Sequence, residues 1–129
     1  MPTLTAPPTL GDLLKFELNP SYTRETATLK AGTAYPLGSV LGRITASSEC
    51  RLSPAAEVAG DEGAETAVAV LLQAIDATDG AATGLIAARG PVILAEAALA
   101  FDASVDQPAE RAAKIAQLSA VGLVARTTV

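Results

Sequence analysis

The apolar residues of this chain come in short runs separated by glycine, proline and polar turn residues, and the longest unbroken run, residues 67–72, is six residues long. Six residues suffice for a strand across a small domain, whereas a helix spanning a bilayer needs about 20. This punctuation predicts many short strands joined by tight turns, and no transmembrane helix. Residues 26–30 and 40–45 read as strands, with turns at 31–33 and 36–39. Residues 47–63, which hold Pro54, Gly60 and Asp61, read as a polar loop. Residues 66–75 are rich in Val and Leu between loops and read as a buried strand. After a turn at 76–80, residues 85–89 and 92–94 read as two strands around Gly90 and Pro91, and residues 123–126 as a last strand.

Two segments depart from that pattern. Asp106, Gln107 and Pro108 have the chemistry of a helix start, with acid before it and proline near its first position. A helix over 108–121 follows, ended by Gly122. Its inward stripe is expected from Ala112, Ile115 and Leu118, with Ala116 and Ser119 beside them. Glu110 and Lys114, one turn apart in the favourable order, are expected on the outer face. At the other end, residues 1–9 hold three prolines and no charge, which predicts an extended, flexible arm. Residues 11–18 read as a short helical turn or as more of the arm, and Asn19-Pro20-Ser21 as a break. The chain thus divides into an extended N-terminal arm, 1–25, and a globular domain, 26–129. The fold class is α+β and β-rich, a small domain with one helix in its C-terminal half.

Composition limits the chemistry. No histidine is present and Cys50 is the single cysteine, which excludes histidine-based nucleophilic catalysis, histidine-ligated metals and an internal disulfide. Cys50 reads as structural. Asp76 to Gly80 lacks the ligands of a calcium loop and reads as a turn. Asp61, Glu62 and Glu65 read as a solvated acidic face, and the scattered glycines are too sparse for a phosphate cradle. With nine basic against fourteen acidic residues, a net charge of −5 and no basic cluster, neither nucleic acid nor anionic membrane is an expected partner. No signal peptide is read at the N-terminus, so cytoplasmic synthesis is expected. Twenty-eight residues are Ala and four are Phe or Tyr, so the core must be built from Ala, Val, Leu and Ile, with few large anchors.

Four stretches, taken in order, resemble one family. Leu10-Gly11-Asp12-Leu13-Leu14-Lys15 followed by Ser21 to Thr26 is similar to the N-terminal part of lambda-type bacteriophage head decoration proteins. Residues 37–42 resemble their first hairpin and residues 61–77 their central segment. Residues 88–92 and 97–99, with the helix and strand of 112–124, resemble their C-terminal half. Ala69 departs from the pattern, where relatives often carry Gly. The resemblance implies a β-clip-like fold and a homotrimer on the outer surface of the expanded capsid at its three-fold positions. It implies the major capsid protein as partner, a virion location, no cofactor and no enzymatic activity. The N-terminal segment is the expected capsid-binding element, with Leu10, Leu13, Leu14 and Phe16 as apolar anchors and Tyr22 at the hinge. Two other readings compete: a β-module binding a small molecule or carbohydrate, which needs a pocket lined by aromatics, and a subunit of an enzyme completed by another chain.

Overall fold

A computed structural model describes residues 10–127. A short helix α1 (Leu10–Leu13) leads into β1 (Leu14–Glu17), and a second, α2 (Pro20–Thr23), into β2 (Arg24–Leu29). The strands β3 (Ala34–Tyr35), β4 (Val40–Arg43), β5 (Cys50–Leu52), β6 (Ala67–Leu71), β7 (Ile75–Asp76), β8 (Ala82–Ala87) and β9 (Val92–Ala95) follow. A 3-10 turn (Glu96–Ala98), α3 (Pro108–Ser119) and β10 (Leu123–Arg126) complete the chain. Five strands close a barrel in the order β2-β5-β4-β6-β8; β1, β9 and β10 form a second sheet in the order β1-β9-β10; β3 and β7 pair by themselves. The β-rich α+β class read from the sequence stands.

The run at 67–72 is apolar on both sides because β6 serves two cores. Ala69 and Leu71 point into the barrel, where Leu29, Leu41, Cys50 and Ile86 meet them. Ala67, Val70 and Leu72 point the other way, into a second core with Leu13, Val92, Leu94, Leu118 and Leu123. Continuous rather than alternating hydrophobicity is what a strand buried on both faces requires. The neighbours β4 and β8 split the same way: Leu41 and Ile86 enter the barrel, Val40 and Ala87 the other core. Close approach at the barrel wall is made possible by Gly42, where a Cβ would lie 1.9 Å from the carbonyl oxygen of Ala64.

Of the N-terminal segment, residues 10–25 are described, and they lie on the body; β2 begins at Arg24. Leu14 and Glu17 of β1 pair with Leu94 and Val92 of β9 in antiparallel register. Leu13 is completely buried in the second core, and the Leu18 N–H donates to the carbonyl of Pro91 at 3.2 Å. Burial of Leu13 and a strand's main-chain hydrogen bonds outweigh the turn-forming Asn19-Pro20, which the fold uses as the start of α2: Asn19 Oδ1 accepts from the Ser21 N–H at 2.9 Å. The proline-rich part of the expected arm, residues 1–9, lies outside the described residues.

The helix forms where expected but turns a different face inward. Pro108 occupies its first turn and Glu110 accepts from the Gln107 N–H at 3.2 Å, one arm of a capping box. Leu118 is fully buried and Ile115 half-buried, but Ala112, Ala116 and Ser119 are exposed. Lys114, expected outside beside Glu110, is only 3% exposed. Its ammonium donates to Ser53 Oγ at 2.9 Å, to the Pro54 carbonyl at 2.6 Å and to the Glu65 carbonyl. These three acceptors replace the hydration the cation loses, and they tie α3 to both ends of the long segment between β5 and β6. Burial still pushes the Lys114 ammonium below its ordinary pKa, against the opposing pull of Glu65, Asp102 and Glu110.

Candidate functional site

The sheet β1-β9-β10 places one face on the second core and leaves the other to solvent. Val92, Leu94 and Leu123 point inward and are fully buried. Phe16 lies opposite Ile93 in β1–β9 pairing, and Val124 lies opposite Ile93 in β9–β10 pairing. Since side chains at paired positions share a face, Phe16, Ile93 and Val124 form an apolar stripe across all three strands. Phe16 is 47% exposed and Val124 36%, and Leu18, two residues past Phe16, is 61% exposed. Lys15 and Arg126 are exposed on β1 and β10. The three strands contain one acid, Glu17, and its carboxylate is engaged by Arg24 Nη2 at 2.9 Å and by the Thr23 hydroxyl at 2.6 Å. Hydrogen bonding from Arg24 holds Glu17 below the usual carboxylate range, against the opposing effect of burial.

The expected anchors fall in different places. Leu13 belongs to the core, and Leu10 and Leu14 are half-buried against it. Phe16 and Tyr22 stand out in solvent, Tyr22 at 57% exposure. Tyr22 is held at the entry to β2 by Arg89, whose guanidinium sits 5.4 Å from the ring centroid and also engages Glu25. Sequence reading missed Ile93 and Val124. A signal was present in the adjacent runs Val92 to Ala95 and Leu123 to Ala125, which supply more apolar side chains than one buried face can absorb.

The acidic cluster also departs from expectation. Asp61 is 5% exposed and bridges Lys30 Nζ at 2.7 Å and Arg51 Nη1 at 2.8 Å. Arg51 reaches on to Asp102 at 3.3 Å. Hydrogen bonds from Lys30, then from Arg51, hold the Asp61 carboxyl below its ordinary pKa. Every charge in this network has a partner, so it reads as a brace joining β2, β5 and the two long loops. Nearby, the Tyr35 hydroxyl donates to the Lys30 carbonyl at 2.8 Å, and its pKa is pushed up to about 12, chiefly by burial. Cys50 is completely buried in the barrel. Asp76 shapes the turn expected there by accepting from the Thr78 N–H at 3.0 Å.

A groove of about 660 Å³ runs between α3 and residues 96–106, lined by Leu99, Phe101, Val105 and Ile115 with Asp106 and Arg111 at its rim. Phe101 is its one aromatic, where the small-molecule reading requires several. The surface best suited to a partner is the sheet face, because aromatic and aliphatic side chains left exposed in register bury well against a second protein.

Comparison with individual curated proteins finds no match. A comparison with protein families finds one, described as bacteriophage lambda head decoration protein D, matched over residues 3–123. That span takes in every strand of the barrel, α3, β1 and β9, and ends at the first residue of β10, so the chain belongs to the lambda head decoration protein family.

Proposed function

We propose that this protein binds the outer surface of the expanded phage head as a homotrimer at the three-fold positions, and that it reinforces the shell against the pressure of packaged DNA. The observation that carries the reading is the family match over residues 3–123. The β-clip-like topology implied by the resemblance belongs to the same proposal. The partners are the major capsid protein and two further copies of the chain. A three-fold assembly presents each contact three times, and once one is made the others become intramolecular, so each can be weak. The residues proposed for the capsid contact are the N-terminal segment from 1 to 25, with Phe16 and Tyr22 as outward anchors and Leu10 and Leu14 at their base; Leu13 supports them from the core. An acidic body with a net charge of −5 is suited to a particle packed with DNA, because it does not bind the nucleic acid itself.

No enzymatic role is proposed. Without histidine, the chain lacks the usual base that would activate its serine and threonine hydroxyls, its one thiol is buried, and the Asp61 charge cluster is fully paired.

Co-sedimentation with expanded, empty heads of the encoding phage tests the reading. The protein should pellet with expanded heads and saturate at three copies per three-fold position. Failure to pellet at micromolar concentration, or a tight dimer in solution, would contradict it.

A further inference from the structure

We infer that the outward face of the β1-β9-β10 sheet is the surface laid against the capsid, and that it receives an apolar capsid-protein segment flanked by carboxylates. The inference rests on the capsid-decoration reading and adds to it the face used and the chemistry of the partner.

Three observations support it. The chain has four aromatic residues and builds both cores chiefly from Ala, Val, Leu and Ile. Yet Phe16 on β1 and Leu18 just past its end stand in solvent, and Ile93 and Val124 extend the line from Phe16 across the sheet. Large apolar side chains left outside a core that could have used them are the residues that carry binding energy at interfaces.

Charge supplies the second. The molecule as a whole carries −5, but on these three strands the exposed charges are Lys15 and Arg126, and the Glu17 carboxylate is neutralised by Arg24 with 7% of its side chain exposed. Exposed cations on the strands that carry the stripe, Lys15 (its ammonium donating to the Gly11 carbonyl at 2.8 Å) and Arg126, on an acidic protein select a partner of the opposite sign and disfavour a second copy of the same acidic chain.

The third is position. The stripe begins on β1, which starts four residues after Leu10, so the N-terminal segment of the sequence leads directly into it. An N-terminal segment bound to the capsid therefore brings this face to the same partner, and the two contacts reinforce each other.

The test is the full chain carrying Phe16→Thr and Val124→Thr together, both β-compatible changes at exposed positions. Val58→Thr, an exposed apolar site outside the sheet, serves as the control. Binding to expanded empty heads is measured alongside the denaturation midpoint and the sedimentation of the free protein. The double variant should bind at least about tenfold more weakly, with midpoint and oligomeric state unchanged and the control like wild type. Lys15→Glu with Arg126→Glu should also weaken binding, and wild-type binding should weaken as salt rises. Binding by the double variant within about twofold of wild type overturns the inference alone. So does a loss of binding accompanied by a changed oligomeric state, which would make the stripe a contact between copies. A wild-type chain that does not bind heads overturns the capsid reading, and this inference with it.

Discussion

Replacing Lys114 with methionine tests whether one buried cation holds the helix to the barrel. Methionine keeps most of the aliphatic stem, so the packing of α3 changes little, but three acceptors lose their donor: Ser53 Oγ, the Pro54 carbonyl and the Glu65 carbonyl. Ser53 keeps its own bond to the Ala64 carbonyl at 2.7 Å, which leaves two carbonyls as the main loss. A buried acceptor stripped of its partner costs about 1–3 kcal/mol. Against this stands the desolvation of the ammonium, which the variant no longer incurs. The net expectation is a destabilisation of about 2–4 kcal/mol, a large share of the ~5–15 kcal/mol that stabilises a typical domain. The pH dependence separates this account from simple loss of packing. The folded-state pKa of Lys114 is depressed below its ordinary 10.5, so between the two values the unfolded chain binds more protons. Wild-type stability should therefore rise with pH through that alkaline window, and the methionine variant should lack the Lys114 contribution to the rise. Denaturant unfolding of both proteins near neutrality and in the alkaline range is the assay. A variant within about 0.5 kcal/mol of wild type, with the same alkaline profile, would refute the reasoning.

Four further outcomes rest on the same packing and charge pairing. Asp61→Asn should cost about 1–3 kcal/mol in denaturant unfolding, since Lys30 and Arg51 lose their shared charge. The folded-state pKa of Asp61 is depressed below 3.8, so its stabilisation is present above that value and fades as pH falls through the folded value; acid titration of the variant should show a shallower loss, with Glu17 still contributing. Gly42→Ala sets a methyl 1.9 Å from the Ala64 carbonyl oxygen, and should lower the thermal midpoint sharply or prevent soluble expression. Leu118→Ala, at a fully buried site, should cost about 2–5 kcal/mol. Ile115→Ala, at the half-buried edge of the groove, should cost less than about 2 kcal/mol, and equal costs for the two would mean the helix faces are wrongly assigned.

The elements legible in the sequence were those whose pattern is local. The α3 start was written in Asp106, Gln107 and Pro108, and β4, β6, β9 and β10 in short apolar runs between turns. Strands defined by their partners were not legible, β3 and β7 among them. Cys50-Arg51-Leu52 shows no alternation of its own and becomes β5 by pairing with Leu41 to Arg43. Leu14 to Glu17 looked like part of a proline-rich arm and becomes β1 by pairing with β9. Lys114 misled for a related reason. It stands four residues before Leu118 and seven before Val121, a spacing that belongs to one helix face, but lysine is so rarely buried that side-chain type overrode position. At the candidate surface, Phe16 and Tyr22 were readable as exposed anchors, while Ile93 and Val124 required the register of a parallel β9–β10 pair, which joins strands separated by α3.

The most direct measurement of the central claim is an image reconstruction of expanded heads saturated with this protein, compared with undecorated heads. The account predicts added density on the outer surface at the three-fold positions, three copies around each, with the β1-β9-β10 sheet turned toward the shell. Heads without added density, or copies bound to the inner surface or at the five-fold vertices alone, would contradict it.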